Sequence, residues 1–122
     1  MNRRTRVLMM VLGAVLLSGC LVIETTHNAD VSFQWSCEGR DCNSLGVVAV
    51  DVEIWDGRRL LTRVPADPPA VAATVHSLEP GTYTFTIIGM SPTGLVLYEA
   101  TETFTARAGD NVYTVSLPYV GP

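Results

Sequence analysis

The chain has 122 residues, which is enough for one domain together with a targeting segment. Hydrophobic residues make up 48% of it and charged residues 16%, a composition that excludes a disordered or highly charged chain. Three of its eight basic residues lie within the first six positions, so residues 20–122 carry five basic and twelve acidic residues, a net charge of −7 that excludes nucleic acid as an expected partner.

The first nineteen residues have the three parts of a signal peptide. A basic segment, MNRRTR, precedes the eleven apolar residues VLMMVLGAVLL, and small residues follow. As a helix, eleven residues span about 16 Å, roughly half of the hydrocarbon core of a bilayer. The alternative is a permanent membrane span, but the length of the apolar run favours a cleaved N-terminal signal helix.

The end of this apolar run resembles the lipobox of bacterial lipoprotein signal peptides. The matching residues are Leu17, Ser18, Gly19 and Cys20. In that family the signal is cut before the cysteine, whose thiol receives diacylglycerol and whose new N-terminus is acylated, for example with palmitate. The resemblance implies a signal peptide over residues 1–19, lipidation at Cys20 and a lipidated tether over residues 20–30.

The same resemblance gives the expected location of the protein. Two or three acyl chains hold a protein firmly at a membrane, whereas one holds it only marginally. Leu21 follows the lipidated cysteine where an Asp would favour retention in the inner membrane. We therefore expect a protein of the bacterial cell envelope, anchored by lipid to the outer membrane and either periplasmic or surface-exposed.

With Cys20 assigned to lipid, two cysteines remain, Cys37 and Cys42. An exported protein lies in an oxidising compartment, which favours a disulfide between them. A metal site is the alternative, but only His27 and His76 could complete it, and a C-x-x-C redox motif is absent. We predict a structural disulfide and no metal or other cofactor.

From residue 31 onward, apolar and polar residues alternate with the period of β-strands. The predicted strands are 31–36, 47–55, 58–64, 71–78, 82–88, 95–106 and 112–117. Turn signals separate them at Asp56-Gly57, Pro80-Gly81, Ser91–Gly94 and Gly109–Asn111, and three prolines in residues 65–70 predict a loop or a sheet edge.

Two of these strands have informative faces. The second should bury Val48, Val50, Val52 and Ile54 on one face and expose the other to solvent. In the sixth, Glu102 interrupts an otherwise apolar face, which suggests a β-bulge. Seven short strands in about ninety residues predict an all-β, Ig-like antiparallel sandwich over residues 31–120, with a small closed barrel as the rival.

A second resemblance concerns the segment SLEPGTYTFTIIG. It resembles a hairpin common in prealbumin-like and carboxypeptidase-regulatory-like β-sandwiches, in which a type II-like turn precedes a tyrosine on the core side. The matching residues are Leu78, Pro80, Gly81 and Tyr83. The strand layout is also similar to that of small myxobacterial lipoproteins. These are fold motifs, and they imply no catalytic residue.

The sequence contains no recognisable catalytic constellation. His76 is the only histidine of the predicted domain, and neither a G-x-S-x-G motif nor a phosphate-binding loop is present. We therefore expect a protein that is not an enzyme and predict no catalytic residues. Trp55, with Asp51 and Glu53 on the same strand face, is the best candidate for a surface contact.

Two functions follow from this interpretation. The first is a membrane-anchored, non-catalytic interaction or structural module that presents its surface to an envelope protein. The alternative is a ligand-binding lipoprotein that takes a sugar or a peptide. A filled core with an open sheet edge or a flat aromatic patch favours the first, and a large apolar pocket with convergent polar groups favours the second.

Overall fold

A computed structural model describes residues 28–67 and 69–122. The predicted signal helix, the cleavage motif Leu17–Cys20, the lipidation site Cys20 and most of the predicted tether lie outside these residues. Within the part of the chain that is described, no helix is long and apolar enough to cross a bilayer.

Seven β-strands and one turn of 3-10 helix form the described structure. The strands are β1 (Ala29–Cys37), β2 (Ala49–Asp56), β3 (Arg59–Ala66), β4 (Ala72–Leu78), β5 (Gly81–Met90), β6 (Val96–Ala106) and β7 (Gly109–Leu117), and the 3-10 helix is Cys42–Leu45. The all-β class and the seven predicted strands are confirmed. Because β1 already begins at Ala29, the last two residues of the predicted tether belong to the folded domain.

The strands form two sheets, which we call sheet A, of order β4-β1-β7, and sheet B, of order β3-β2-β5-β6. Two separate sheets make a sandwich, so the closed barrel is wrong. The expectation of a wholly antiparallel sandwich is also wrong, because β1 and β7 pair in parallel from Ala29–Gly109 to Cys37–Leu117. Short hairpins impose antiparallel pairing only on consecutive strands, and β1 and β7 are the first and the last.

Aromatic side chains fill the centre of the sandwich. Phe33 of β1 is completely buried, and its ring centroid lies 5.0 Å from that of Phe85 and 5.5 Å from that of Phe104. Tyr113 of β7 stacks on Phe33 with ring centroids 6.0 Å apart. Trp35 of β1 is also buried. The two sheets are therefore joined by interleaved rings from both of them.

The strand directions give the sandwich two distinct ends. The tether end carries the start of β1 and the turns β2–β3, β4–β5 and β6–β7. The disulfide end carries Cys37 and Cys42. The predicted disulfide between them is present, and both residues are buried. Any membrane anchor upstream of Ala29 thus enters at the end opposite to the disulfide.

The connection between β4 and β5 differs from the predicted hairpin in two respects. It joins a strand of sheet A to a strand of sheet B, so β4 and β5 do not pair with each other. Gly81 does not have the left-handed conformation that a type II turn requires. Ser77 has it instead, with φ of 60°, in a β-bulge where its N–H donates to Asp30 Oδ1 at 3.0 Å. Tyr83 does lie on the core side, with its ring centroid 5.9 Å from that of Phe104.

The hydroxyl of Tyr83 stabilises the β4–β5 connection by donating to the backbone oxygen of Glu79. Burial raises the pKa of this phenol above its ordinary value, and the carboxylates of Glu79 and Asp56 raise it further. Each of these causes favours the protonated form, so the phenol stays a hydrogen-bond donor across the ordinary pH range.

Two face predictions need correction. Val48 is exposed rather than buried, because β2 begins only at Ala49 and Val48 precedes the strand. Glu102 does not mark a bulge, because β5 and β6 remain in register there, and the irregularity lies between Gly89 and Met90. Glu102 occupies an inward-facing position opposite Phe85.

Candidate functional site

The outer face of sheet B brings the three predicted contact residues together. Alternation along β2 turns Val50, Val52 and Ile54 into the core and leaves Asp51, Glu53 and Trp55 on the opposite side. No other layer of the described chain covers this side of the sheet. We call this outer surface of β3, β2, β5 and β6 the Trp55 face.

Glu53 lies at the centre of a small hydrogen-bonded cluster on the Trp55 face. Its Oε2 accepts from Arg63 Nε at 3.2 Å and from Arg63 Nη2 at 2.9 Å. Its Oε1 accepts from Trp55 Nε1 at 3.2 Å. Both carboxylate oxygens are thus paired, and Arg63 approaches one of them with two donors, a geometry that fixes its orientation.

The cluster changes the expected character of this face. We expected the Asp51 and Glu53 side of β2 to meet solvent, but Glu53 is only 8% exposed because Trp55 and Arg63 cover it. Asp51 and Trp55 are partly buried. The carboxylate therefore holds the indole and the guanidinium in place on the outer side of the sheet.

Arg63 was missed by sequence reasoning. In a regular hairpin with a two-residue turn at Gly57-Arg58, Glu53 would lie opposite Thr62. The structure has one extra residue, Leu61, between the pairs Trp55–Leu60 and Ile54–Thr62, and this bulge brings Arg63 opposite Glu53. No pattern in the sequence signals the bulge.

Threonines extend the Trp55 face across β5 and β6. Glu53 is in register with Thr86, and Thr86 is in register with Thr101. The hydroxyl oxygens of the two threonines lie 3.0 Å apart. The next row places Thr84 beside Trp55, and Thr103 beyond it. Short hydroxyl side chains give a low, polar surface beside the indole of Trp55.

The cluster has the composition of a contact surface. His76 is the histidine among the described residues. It lies on edge strand β4 of sheet A, and its Nδ1 is 3.5 Å from Asp30 Oδ1. In the described ranges no three His, Cys, Asp or Glu side chains gather in a way that could hold a metal ion. An ordered Trp beside an Arg is typical of the residues that dominate protein interfaces.

Replacing Arg63 by Met should lower the free energy of unfolding by about 1–2 kcal/mol, because Glu53 would keep only the Trp55 donor in a largely dry position. Urea denaturation measures this loss. Arg59→Met is the matched control, since Arg59 is exposed and its closest ion-pair contact, to Asp56, is 3.9 Å long. A double change of Glu53 and Arg63 to Met should recover most of the loss, and equal destabilisation by both arginine variants would contradict the assignment.

Comparison with known proteins adds information on the fold. No family model matches the chain, and no curated protein does. A solved structure of a candidate adhesin from Bacteroides ovatus is similar with a TM-score of 0.53 and 15% identity, covering 76% of this chain and 46% of that protein. A leucine-rich repeat protein from Bacteroides thetaiotaomicron is similar with a TM-score of 0.40 and 22% identity, covering 88% of this chain and 16% of that protein. The chain spans less than half of either protein, and the first similarity establishes that a sandwich of this architecture occurs in a solved structure.

Proposed function

We propose that this chain is a lipid-anchored protein of the bacterial envelope whose β-sandwich is a non-catalytic interaction module. The basic segment, the short apolar run and the residues Leu17–Cys20 support the anchor. β1 starts nine residues after Cys20, a distance of roughly 30 Å at full extension. The domain would therefore stay close to the membrane, with its tether end toward it. The Leu21 that follows Cys20 favours the outer membrane.

The observation that carries the interaction role is the Glu53–Arg63–Trp55 cluster. Its three side chains stand on paired strands and are bonded to one another, so they need little further ordering when a partner binds. The low threonine rows beside them give a flat surface suited to another protein. We infer that Trp55 and Arg63 form the centre of the contact.

The fold subtype belongs to the same proposal. We infer a prealbumin-like, carboxypeptidase-regulatory-like sandwich, supported by the two sheets and by the β4–β5 connection, where Leu78 is buried and Tyr83 packs on Phe104. The similarity to a candidate adhesin concerns the fold alone and adds no partner to this inference.

The alternative, binding of a sugar or peptide inside the domain, has less support. Large side chains from both sheets occupy the core, among them Phe33, Phe85 and Phe104 in mutual contact. The flat surface around Trp55 is the feature that favours an interaction module over a ligand-binding protein.

Replacing Cys20 by Ser should abolish lipidation, because serine lacks the thiol that would receive diacylglycerol. Cells fed labelled palmitate are the assay: we expect the label on the wild-type protein and none on the variant, which should also leave the membrane fraction. Cys42→Ser is the control and should keep the label. Unchanged labelling of the Cys20 variant would refute the anchor.

Proximity cross-linking in the native envelope, followed by mass spectrometry, tests the interaction role. We expect the wild-type protein to yield a reproducible protein partner, and Trp55→Ala to lose most of that cross-link. Val71→Ala, an exposed aliphatic residue beside the other sheet, serves as the control. Absence of a protein partner together with a small molecule bound in native mass spectra would reverse the proposal in favour of the ligand-binding alternative.

A further inference from the structure

Three of the four sheet edges carry features that hinder the addition of another strand along their full length. Edge strand β3 contains Pro65 and the bulge at Leu61. Edge strand β4 contains the bulge at Ser77. Along β6 the segment 118–121 already takes up edge groups: Val120 N–H donates to the Leu97 oxygen at 2.8 Å, and Glu99 N–H donates to the Pro118 oxygen at 3.2 Å.

The fourth edge, β7, lacks these features. It is paired with β1 over nine consecutive residues without a register shift, and it contains no proline. Gly109 N–H donates to the Asn28 oxygen, and the Leu117 oxygen accepts from Glu38 N–H, so odd-numbered residues direct their backbone groups toward β1. The even-numbered residues therefore direct theirs outward, and they are Asp110, Val112, Thr114 and Ser116.

These outward groups are free over the part of the chain that the structure describes. No hydrogen bond from residues 28–67 or 69–122 reaches the backbone of the four even-numbered residues. Their side chains are exposed, and Val112 is the most exposed large apolar residue there, at 62%. β7 thus offers a flat, regular row of donors and acceptors, which is the template for strand addition.

A second observation points to the same place. Glu102 faces inward from β6, in register with the buried Phe85, yet it is exposed. Phe104 on the same face is buried whereas Glu102 is not, so sheet A does not cover this part of β6. Phe104 packs on Tyr113 with centroids 5.5 Å apart, and since β6 and β7 run in opposite directions, Glu102 lies near the level of Val115. A strand beside β7 would cover Glu102.

We propose that β7 binds an extended segment of a partner protein as an eighth strand, with an Arg or Lys of that segment placed over Glu102. The charges of the domain favour such a segment, since the sequence from residue 28 onward holds five arginines and eleven acidic residues. Main-chain bonds would supply affinity, and the inward carboxylate would select a basic side chain. This edge is separate from the Trp55 face and adds a second contact to the module.

A second copy of the chain fits this edge less well. Two β7 strands that pair through the same edge are related by a two-fold axis and run antiparallel. Their tether ends would then point in opposite directions, which conflicts with two lipid anchors in one leaflet. This step rests on the proposed anchoring, whereas the availability of the edge does not.

Two labelled peptides test the proposal on the purified lipidated protein in detergent. The probe Thr-Val-Arg-Val-Thr-Val-Arg-Val has the alternation of a strand, and its matched form carries Glu in place of both Arg. Fluorescence anisotropy should show binding of the Arg probe and at least tenfold weaker binding of the Glu probe. Hydrogen exchange should slow at the Val112 and Thr114 amides when the Arg probe is bound.

Two substitutions in the protein sharpen the test. Thr114→Pro removes an outward N–H without removing a bond to β1, so the domain should fold and lose Arg-probe binding at least tenfold, whereas Thr114→Val should bind normally. Circular dichroism confirms folding. Glu102→Arg should reverse the preference between the two probes.

Other outcomes would overturn the proposal. These are Arg-probe binding that Thr114→Pro leaves unchanged, or no binding at all. Self-association that Thr114→Pro abolishes would assign the edge to a second copy. Slow exchange of the Val112 and Thr114 amides in the monomer without probe would assign the edge to the chain's own residues before 28. The Trp55-dependent cross-link is read separately, so failure here leaves the proposed function standing.

Discussion

Replacing Phe33 by Ala is expected to lower the free energy of unfolding by about 3–5 kcal/mol, the largest effect of any single substitution considered. Phe33 is fully buried, and its ring contacts those of Phe85, Phe104 and Tyr113 from both sheets. Truncation leaves a cavity that the surrounding strands cannot close, because each strand is held in place by backbone hydrogen bonds to its neighbours in the sheet. The lost ring contacts add to the transfer cost.

Thermal and urea denaturation followed by circular dichroism measure this effect. For a domain of this size each kcal/mol moves the melting temperature by about 4–8 °C, so the variant should melt far below the wild type. Phe33→Leu keeps most of the volume and should cost much less, while Val112→Ala, at an exposed position, should be nearly neutral. A loss below 1 kcal/mol for Phe33→Ala would contradict the placement of this ring at the centre of the core.

Removing the disulfide by changing both Cys37 and Cys42 to Ala should lower the free energy of unfolding by about 2 kcal/mol. The bond closes a short loop and restricts the unfolded chain, while Ala tolerates the buried positions without introducing a polar group. The effect should be largest at the disulfide end, where Glu38 N–H bonds the Leu117 oxygen and Val47 is buried.

Urea denaturation of the wild-type protein with and without a reducing agent should reproduce the difference between the wild type and the double variant. The double variant itself should not respond to the reducing agent, which makes it the control for general effects of the reagent. Mass spectrometry under non-reducing conditions is the direct check on the bond. Two free thiols in the purified protein would contradict the prediction.

Much of the fold could be predicted because it rests on local signals. Alternation placed all seven strands, with β5 predicted within two residues of its observed ends, Gly81 and Met90. Asp56-Gly57 predicted the β2–β3 turn, where Gly57 has φ of 59°. The pairing of Cys37 with Cys42 followed from their number and spacing once Cys20 was assigned to lipid.

The candidate site could be predicted only in part. Trp55, Asp51 and Glu53 share one face because they alternate along one strand, and this needs only the sequence. Arg63 joins them through the bulge at Leu61, which shifts the hairpin by one residue. Hairpin register depends on how two strands pack, so a count along the chain that assumes a regular hairpin would place Thr62 opposite Glu53 instead of Arg63.

The sequence by itself determined the strands, the turn positions and the disulfide partners, because each depends on residues close together in the chain. Only the tertiary structure decided that β1 and β7 pair in parallel, that Arg63 covers Glu53, and that Glu102 faces inward beside an open edge. These features depend on which distant strands become neighbours. That choice follows from burying both sheets against each other, and no local pattern contains it.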